Sequence, residues 1–287
     1  MPNNPAVAGF YHEETGSIAY VVADPATRHA AIIDPVLDYD EKAGRISTQS
    51  ADALLKYVQD NKLSVDWIFD THPHADHFTA AAYLKDKLGA PAAIGRNIGA
   101  VQTLWKAIYN LPDFPADGSQ WDRLFAGGDA FNVGSLPGRV MFSPGHTLAS
   151  ITYVVGDAAF IHDTLFQPDT GSARCDFPGG NAGILYDSIA AILALPDQTR
   201  LFTGHDYRHD GRAARWESTV AEQKASNIHF RNKPAREAYI ALREARDKTL
   251  PMPRLILHAL QFNMRGGRLP PPESNGRSYL KIPIGSL

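Results

Sequence analysis

One short segment, HPHADH at residues 72–77, gathers three histidines and one aspartate. Imidazole nitrogens and carboxylate oxygens are ligands that zinc and iron commonly take in proteins. Residues two apart in an extended chain project to the same side, so His72 and His74 can face one ion. Asp76 and His77 are expected at the start of the next helix, turned toward a neighbouring position. The segment therefore predicts a metal site.

Three further segments place a polar residue directly after an expected strand: GHT around His146, Asp163 after FIH, and GHDY around His205. Each is weak alone, because an isolated histidine after a strand is more often a satisfied polar residue. His162, which precedes Asp163, is expected to point to the opposite side of its strand. The sequence holds no Walker loop, no GxGxxG and no GxSxG elbow, so nucleotide-binding and serine-hydrolase functions lack support.

The elements that must position these residues alternate between strands and helices. Apolar periodicity and turn signals predict each of them. In chain order they are a hairpin over 16–34, a helix over 50–61, a strand over 65–71, a helix over 78–88, a strand over 92–94, a helix over 101–110, strands over 139–143, 149–155 and 158–162, a helix over 185–195, a strand over 200–203, a helix beginning near 219 and a last helix from 234 to just before 251. Several strands precede any crossover helix, which favours a layered αββα or mixed α/β fold over a parallel doubly wound sheet.

No composition break demands two domains, so we expect one domain over 1–287 with its core at about 8–230. Residues 231–287 are expected to add one helix and a Pro-rich tail that runs as extended surface chain. The single cysteine, Cys175, excludes an internal disulfide and fits a reducing compartment. The longest apolar run, Ile189–Leu195, is far below the roughly 20 residues that a membrane helix needs. With no targeting pattern in its first residues, the chain is predicted to be cytoplasmic, with no membrane partner.

Charge is distributed unevenly along the chain. The net charge is −3, but residues 205–287 carry 15 Lys and Arg against 8 Asp and Glu. We expect most of these cations on solvated helix faces and some of them near a small anionic substrate. The acidic balance of residues 1–204, and the lack of a basic stripe interleaved with aromatic residues, argue against a nucleic-acid partner.

Taken in chain order, the candidate ligands resemble those of the metallo-β-lactamase superfamily over about residues 8–230. The resemblance implies an αββα sandwich with the metal site at one edge, but the ligands alone leave two chemistries open. Two Zn²⁺ ions bridged by Asp163 and a hydroxide would perform hydrolysis. One Fe(II) held by His72, His146 and Asp163 would leave positions open for a thiolate and O2. The seven matching positions are His72, His74, Asp76, His77, His146, Asp163 and His205.

The flanking segments resemble those of the bacterial persulfide dioxygenases, also called sulfur dioxygenases. These segments are IDPV, THPHADH, SPGHT, GSARCDFPGG and TGHDY, with FNMRGGRLPPPE and SYLKIPI in the tail. The resemblance implies oxidation of glutathione persulfide by O2 to sulfite and glutathione, at one Fe(II) per chain held by His72, His146 and Asp163. The residues that would then orient ligands and water through hydrogen bonds are His74, Asp76, His77 and His205.

Other residues of the resemblance would serve catalysis and substrate binding. Asp206 and Tyr207 match positions near the metal, and Tyr207 would donate a hydrogen bond to the substrate unless it is a core tyrosine. Glutathione persulfide carries two carboxylates, so at least one Arg or Lys near the site is expected. Arg174 is the preferred contact, with an ion pair to Asp176 as the structural alternative, and Arg265 is a weaker one. The full set of candidate cations is Arg174, Arg231, Lys233 and Arg265.

A dinuclear zinc hydrolase of glutathione thioesters, of the glyoxalase II type, is the alternative function. That family typically has another segment after the bridging aspartate, a GHEY-like sequence where this chain has GHDY, and a larger helical C-terminal part. Here we expect only one clear helix and the Pro-rich tail. A metal-bound scaffold is a third reading, although none of the seven positions is lost. Cys175 is expected to be a small buried residue and not a sulfur carrier, and the sequence is compatible with a homodimer.

Overall fold

The structure, a computed structural model, describes residues 4–286. In this range the chain forms fifteen strands, seven α-helices and a short 3-10 turn at His209–Gly211. The strands are β1 (Ala6–Tyr11), β2 (Ile18–Ala23), β3 (His29–Ile33), β4 (Val36–Asp40), β5 (Arg45–Ser47), β6 (Ser64–Phe69), β7 (Phe78–Thr79), β8 (Ala92–Gly95), β9 (Arg123–Phe125), β10 (Ala130–Val133), β11 (Leu136–Phe142), β12 (Ile151–Val155), β13 (Ala158–His162), β14 (Arg200–Thr203) and β15 (Glu217–Thr219). The helices are α1 (Gln49–Asp60), α2 (Ala81–Leu88), α3 (Ile98–Ile108), α4 (Ala182–Leu193), α5 (Val220–Ser226), α6 (Arg236–Asp247) and α7 (Ile256–Asn263).

Two six-stranded sheets face each other at the centre of the fold. The first has the strand order β1-β2-β3-β6-β8-β9 and the second the order β10-β11-β12-β13-β14-β15, while β5, β4 and β7 form a small third sheet. Side chains from both large sheets share one core, in which the ring of Phe69 stacks on that of Tyr153 with centroids 4.2 Å apart. The two sheets therefore form a sandwich.

Helices cover the outer face of each sheet. Successive strand residues point to opposite faces, so Ile33 joins the core between the sheets while Ile32 packs outward with Leu54 of α1. On the second sheet Leu201 packs outward with Ile189 of α4. The layers are helix, sheet, sheet, helix, which confirms the predicted αββα fold. None of the helices in residues 4–286 has both the length and the apolar character that a bilayer crossing requires.

Helix α2 begins at Ala81 and not at residue 78. Phe78–Thr79 instead form β7, which pairs antiparallel with β4. The Thr79 hydroxyl donates to Asp70 at 2.7 Å, a side-chain bond that stabilises a non-helical backbone. The expectation that Asp76 and His77 start a helix is therefore wrong, because both lie in the loop before β7.

The C-terminal region holds one more helix than the sequence predicted. Beyond residue 230 the structure contains α6 and, after Pro253, also α7, whose residues Leu260 and Phe262 are buried. An eight-residue apolar stretch is too short to show helical periodicity, so the sequence did not identify α7. The tail over 268–286 contains neither helix nor strand, as expected.

Candidate metal centre

The expected ligands meet at one edge of the sandwich, beyond the ends of four strands. His72 follows β6 of the first sheet, whereas His146, Asp163 and His205 follow β11, β13 and β14 of the second. Because β13 and β14 run parallel, their C-terminal ends lie at the same edge. The fold thus brings together side chains that lie far apart in the sequence.

Two histidines present an unprotonated nitrogen to this edge. His146 Nδ1 lies 2.7 Å from the carbonyl oxygen of Arg174; a carbonyl only accepts, so Nδ1 carries the proton and Nε2 keeps its lone pair. The Thr71 hydroxyl donates its proton to Asp34 at 2.7 Å and therefore accepts from His72 Nδ1 at 3.0 Å. His72 Nε2 is thereby left with a lone pair as well.

The side chains of His72, His146 and Asp163 fit a metal ion. They offer ligand atoms within 4.8 Å of one another, with His146 Nε2 and Asp163 Oδ2 3.8 Å apart. His72 Nε2 is buried and has no hydrogen-bond partner within residues 4–286, a costly state that a bound cation would relieve. Burial lowers the pKa of both histidines, which keeps them neutral as ligands. Two imidazoles and one carboxylate suit non-haem iron or zinc.

His74 lies beside this triad and is held by Asp34. Its Nε2 lies 3.1 Å from Asp34 Oδ1. Burial would lower the pKa of His74, but the charge of Asp34 outweighs it and raises the pKa to about 9. Asp34 therefore orients two histidines at once, His74 directly and His72 through Thr71.

Three other expected ligands, Asp76, His77 and His205, form a second cluster that is linked by hydrogen bonds. Asp76 Oδ2 accepts hydrogen bonds from His77 Nδ1 and His205 Nε2, both at 2.8 Å, and from Ser17 Oγ at 2.7 Å. His205 Nδ1 donates to Asp163 Oδ1 at 2.6 Å. Burial would lower the pKa of His205, but the charges of Asp163 and Asp76 raise it well above its usual range.

A cavity of about 640 Å³ opens onto these two clusters. Its mouth is bordered by residues 250–255, which connect α6 to α7. Polar ligand atoms at one wall and aromatic rings beside them are typical of a small-molecule site. The residues of the two clusters and the aromatic residues in the lining are Asp76, His146, Asp163, His205, Phe166, Phe177 and Tyr207.

Tyr207 faces this cavity, as expected of a substrate contact. Its side chain is 58% exposed, and its ring stacks on His205 with centroids 5.6 Å apart and meets Phe166 edge-on. The hydroxyl has no hydrogen-bond partner within the described chain. The alternative of a core tyrosine with a satisfied hydroxyl is therefore wrong.

Asp206 does not line the cavity, which disagrees with its expected catalytic role. The side chain is fully buried, and its two oxygens accept from Arg212 at 2.6 and 2.8 Å. Asp206 also accepts from the backbone N–H of Arg215 at 2.6 Å. Its carboxylate thus holds the chain after Tyr207 in place and is not available to a substrate.

Arg174 lines the cavity, but its guanidinium is already engaged. It forms a two-pronged ion pair with Asp176 at 2.8 Å and lies over the ring of Phe177. It also donates to the carbonyl of Pro251 at 2.6 Å, which ties its loop to the cavity mouth. The structural alternative foreseen for Arg174 is therefore present, while its carbonyl fixes the proton of His146.

The structure does not bring Arg265 to the cavity. Its guanidinium lies over the ring of Phe114 in a separate shallow depression that also includes Leu269. This position disagrees with the expected contact between Arg265 and the substrate. Arg231 and Lys233 are also outside the cavity lining.

Three arginines that the sequence did not single out do line the cavity: Arg243, Arg246 and Arg254. Arg243 pairs with Asp247 at 2.6 Å and Arg254 with Glu41 at 3.4 Å. Arg246 has no ion-pair partner within residues 4–286. Arg243 and Arg246 are three residues apart in the predicted helix and therefore lie on one face of it. This spacing is the sequence signal that could have identified them.

Cys175 is buried and lies beside a carboxylate. Its thiol is 3.5 Å from Asp247, whose oxygen also accepts from the backbone N–H of Cys175 at 2.9 Å. Burial, with the charge of Asp247, raises the pKa of Cys175 to about 12. A thiol in this environment is unreactive.

Similarity to known proteins extends over almost the whole chain. Residues 14–205 match the family model described as Metallo-beta-lactamase superfamily. The chain is 64% identical to the Beta-lactamase hydrolase-like protein of Xylella fastidiosa (strain Temecula1 / ATCC 700964), over 99% of this chain but only 65% of that protein's length. It is 43% identical to Glyoxylase B2 of Dictyostelium discoideum, over 100% of this chain and 99% of that protein.

More distant relatives carry another name. The chain is 30% identical to the mitochondrial persulfide dioxygenase ETHE1 of Bos taurus, over 91% of this chain and 89% of that protein. Among solved structures, ETHE1 from Myxococcus xanthus is 32% identical and superimposes with a TM-score of 0.74, covering 92% of this chain and all of that one.

Proposed function

This chain belongs to the metallo-beta-lactamase superfamily, and from that premise we propose that it is a persulfide dioxygenase with one Fe(II) per chain. The reaction is oxidation of glutathione persulfide by O2 and water to glutathione, hydrogen sulfite and one proton, so that sulfur is oxidised, O2 is reduced and water supplies the third oxygen. The observation that carries the proposal is the unequal state of the two clusters. The triad of His72, His146 and Asp163 has ligand atoms available, whereas Asp76 and His205, which with Asp163 also form a group able to hold an ion, lie within hydrogen-bond distance of each other.

The triad would hold the iron, which when bound supplies the redox chemistry and the open positions for a thiolate and O2. The carbonyl of Arg174 and the hydroxyl of Thr71 keep the protons of His146 and His72 on the nitrogens that face away from the ion. His205 binds Asp163 Oδ1 and leaves Oδ2 turned toward His146. These contacts hold the ligands in one orientation before the substrate enters.

The cavity would bind the organic part of the persulfide. Phe166 and Phe177 line the cavity with apolar surface, and the hydroxyl of Tyr207 would donate a hydrogen bond to the substrate. Arg246 offers the cavity a positive charge that no carboxylate within residues 4–286 neutralises. We assign to it the substrate carboxylate that the sequence analysis left to other arginines.

The similarities support this proposal at different levels. The protein of Bos taurus is named a persulfide dioxygenase, and the ETHE1 structure of Myxococcus xanthus shares the fold over nearly the full chain. Relatives of higher identity carry hydrolase-like or glyoxylase names. Identification of the bound metal and of the reaction product therefore distinguishes oxidation from hydrolysis.

A dinuclear zinc hydrolase of glutathione thioesters is the second candidate. It is favoured by the presence of all seven ligand positions and by His77 Nε2. This atom is buried, has no hydrogen-bond partner within residues 4–286 and would suit a second ion. Two zinc ions per chain and hydrolysis of S-lactoylglutathione would support it. One iron per chain would count against it.

The deciding experiment measures O2 uptake by Fe(II)-loaded protein after addition of glutathione persulfide, with sulfite quantified in the same sample. We expect rapid uptake that the His146→Ala variant loses. His29→Ala is the matched control, since His29 pairs with Asp66 at the far end of β3. No uptake by the wild-type protein with verified iron content would refute the proposal.

A further inference from the structure

Ser17 is placed by the backbone at the centre of the second cluster. It lies immediately before β2 and is only 1% exposed. The N–H of Ile18 donates to the carbonyl of Gly204 at 2.8 Å, and the N–H of Asp206 donates to Gly16 at 2.9 Å. Main-chain hydrogen bonds on both sides therefore fix the Ser17 side chain against His205.

The hydroxyl of Ser17 contacts every member of the second cluster. Its Oγ lies 2.7 Å from Asp76 Oδ2, 3.1 Å from His205 Nε2 and 3.2 Å from His77 Nδ1. A carboxylate oxygen only accepts, so the single hydroxyl proton is directed at Asp76. Thr15, whose Oγ1 is 2.6 Å away, must then donate its proton to Ser17. The serine thus has one orientation available to it.

This arrangement competes with a second metal ion. Such an ion would need the carboxylate of Asp76 and a lone pair of His205. Asp76 Oδ2 already lies 2.7–2.8 Å from Ser17, His77 and His205, and the two ring nitrogens of His205 lie 2.6 and 2.8 Å from the carboxylates of Asp163 and Asp76. Ser17 is the one member of the cluster that is not itself an expected ligand, so it can change without removing a ligand.

We propose that Ser17 sets the metal content at one ion per chain, by holding Asp76, His77 and His205 in a hydrogen-bonded cluster at the position where a second ion would bind. Ser17 is a positioning residue and touches neither substrate nor the first ion. The inference rests on the proposed mononuclear function, but it concerns metal count alone. The number of bound ions is measured independently of activity, so a protein that does not oxidise persulfide would refute the proposed function without deciding the role of Ser17.

The test is metal stoichiometry after loading with excess zinc and removal of unbound ions by gel filtration. We expect about one zinc per chain in the wild-type protein and about two in Ser17→Ala. Ser218→Ala is the matched control, because Ser218 is also a buried serine. It lies on β15 and accepts a hydrogen bond from Gln223 on α5, outside the cluster. Its zinc content should remain at one. Cobalt loading reports the same change through the intensity of its visible absorption.

Three outcomes would overturn the inference. They are two zinc ions in the wild-type protein, one zinc in a folded Ser17→Ala variant, or two in the control. Thermal unfolding of each variant establishes that it is folded. Should Ser17→Ala fail to fold, Ser17→Thr, which keeps the hydroxyl, must hold one zinc, and two would be equally contradictory.

Discussion

Asn263 holds the loop that ends in His77. Its side-chain amide donates to the carbonyl of His77 at 2.7 Å and to that of His74 at 2.8 Å, and its oxygen accepts from the N–H of Thr79 at 2.8 Å. The residue lies at the end of α7, 186 positions from His77 along the chain. The C-terminal region therefore contributes directly to the shape of the metal site.

Replacing Asn263 by Ala is expected to weaken both stability and metal binding. Three buried hydrogen bonds are lost and their partners stay unpaired, so the free energy of unfolding should fall by about 3 kcal/mol. Urea unfolding measures this, and a competing chelator measures iron affinity. Gln261→Ala is the control, since Gln261 is buried in the same helix but bonds to Leu257 and Lys281. Loss of iron affinity in both variants would mean a general effect of unfolding.

Arg246→Gln is expected to raise KM for glutathione persulfide by about tenfold or more, with kcat nearly unchanged. The reason is the loss of a charge-assisted hydrogen bond to a carboxylate, worth roughly 1.5–3 kcal/mol. Steady-state O2 uptake gives both constants. Arg265→Gln, outside the cavity, should behave as wild type. A persulfide that lacks carboxylates should be used equally well by wild type and Arg246→Gln; a difference there would contradict the assignment.

Stability should fall in acid because of His229. Its Nδ1 accepts from the backbone N–H of Ser172 at 3.0 Å, and burial, with the charges of Arg243 and Arg246, lowers its pKa to about 4. As the pH falls, His229 takes up a proton in the unfolded chain at about pH 6.5 but in the folded chain only near pH 4. The free energy of unfolding therefore keeps its full value above about pH 6.5 and decreases as the pH falls toward 4.

His229→Gln keeps an acceptor for Ser172 but does not titrate. The difference in unfolding free energy between wild type and this variant should change by about 1.4 kcal/mol per pH unit between those values. Urea unfolding across pH 4–7 measures it. A difference that does not vary with pH would show that His229 is not the titrating group.

Cys175 should react slowly with iodoacetamide. With a pKa near 12, its thiolate fraction at pH 8 is roughly a thousandfold below that of an unperturbed cysteine, and burial slows it further. Mass spectrometry of the alkylated protein follows the reaction. Persulfide oxidation should survive in Cys175→Ala, and loss of activity in a folded variant would instead indicate a sulfur carrier.

Much of the fold, and the positions of the candidate ligands after strands, could be predicted because the signals are local. The alternation of strands and helices showed in the apolar pattern, and His72, His146, Asp163 and His205 each follow a strand in the structure as the sequence indicated. The expectation of one domain over 1–287, and that of a cytoplasmic location, stay predictions.

The remainder depends on contacts between distant parts of the chain. Ser17 lies in no motif, and Asn263 lies in the tail segment FNMRGGRLPPPE without any sign that it contacts the ligand loops. Their roles arise only when helix α7 and the start of β2 pack against those loops. Asp206 follows His205 directly, and only the tertiary position of the half-buried Arg212 decides that its carboxylate turns away from the site. The cation at the cavity is likewise chosen by tertiary position, which places Arg246 there and Arg265 elsewhere.

The triad takes one ligand from the first sheet and two from the second. Because neither sheet alone offers more than two of the three, the ion can be captured only after the sheets have docked. In the proposed enzyme, metal binding is therefore coupled to the docking of the two sheets, because neither sheet alone carries the complete triad.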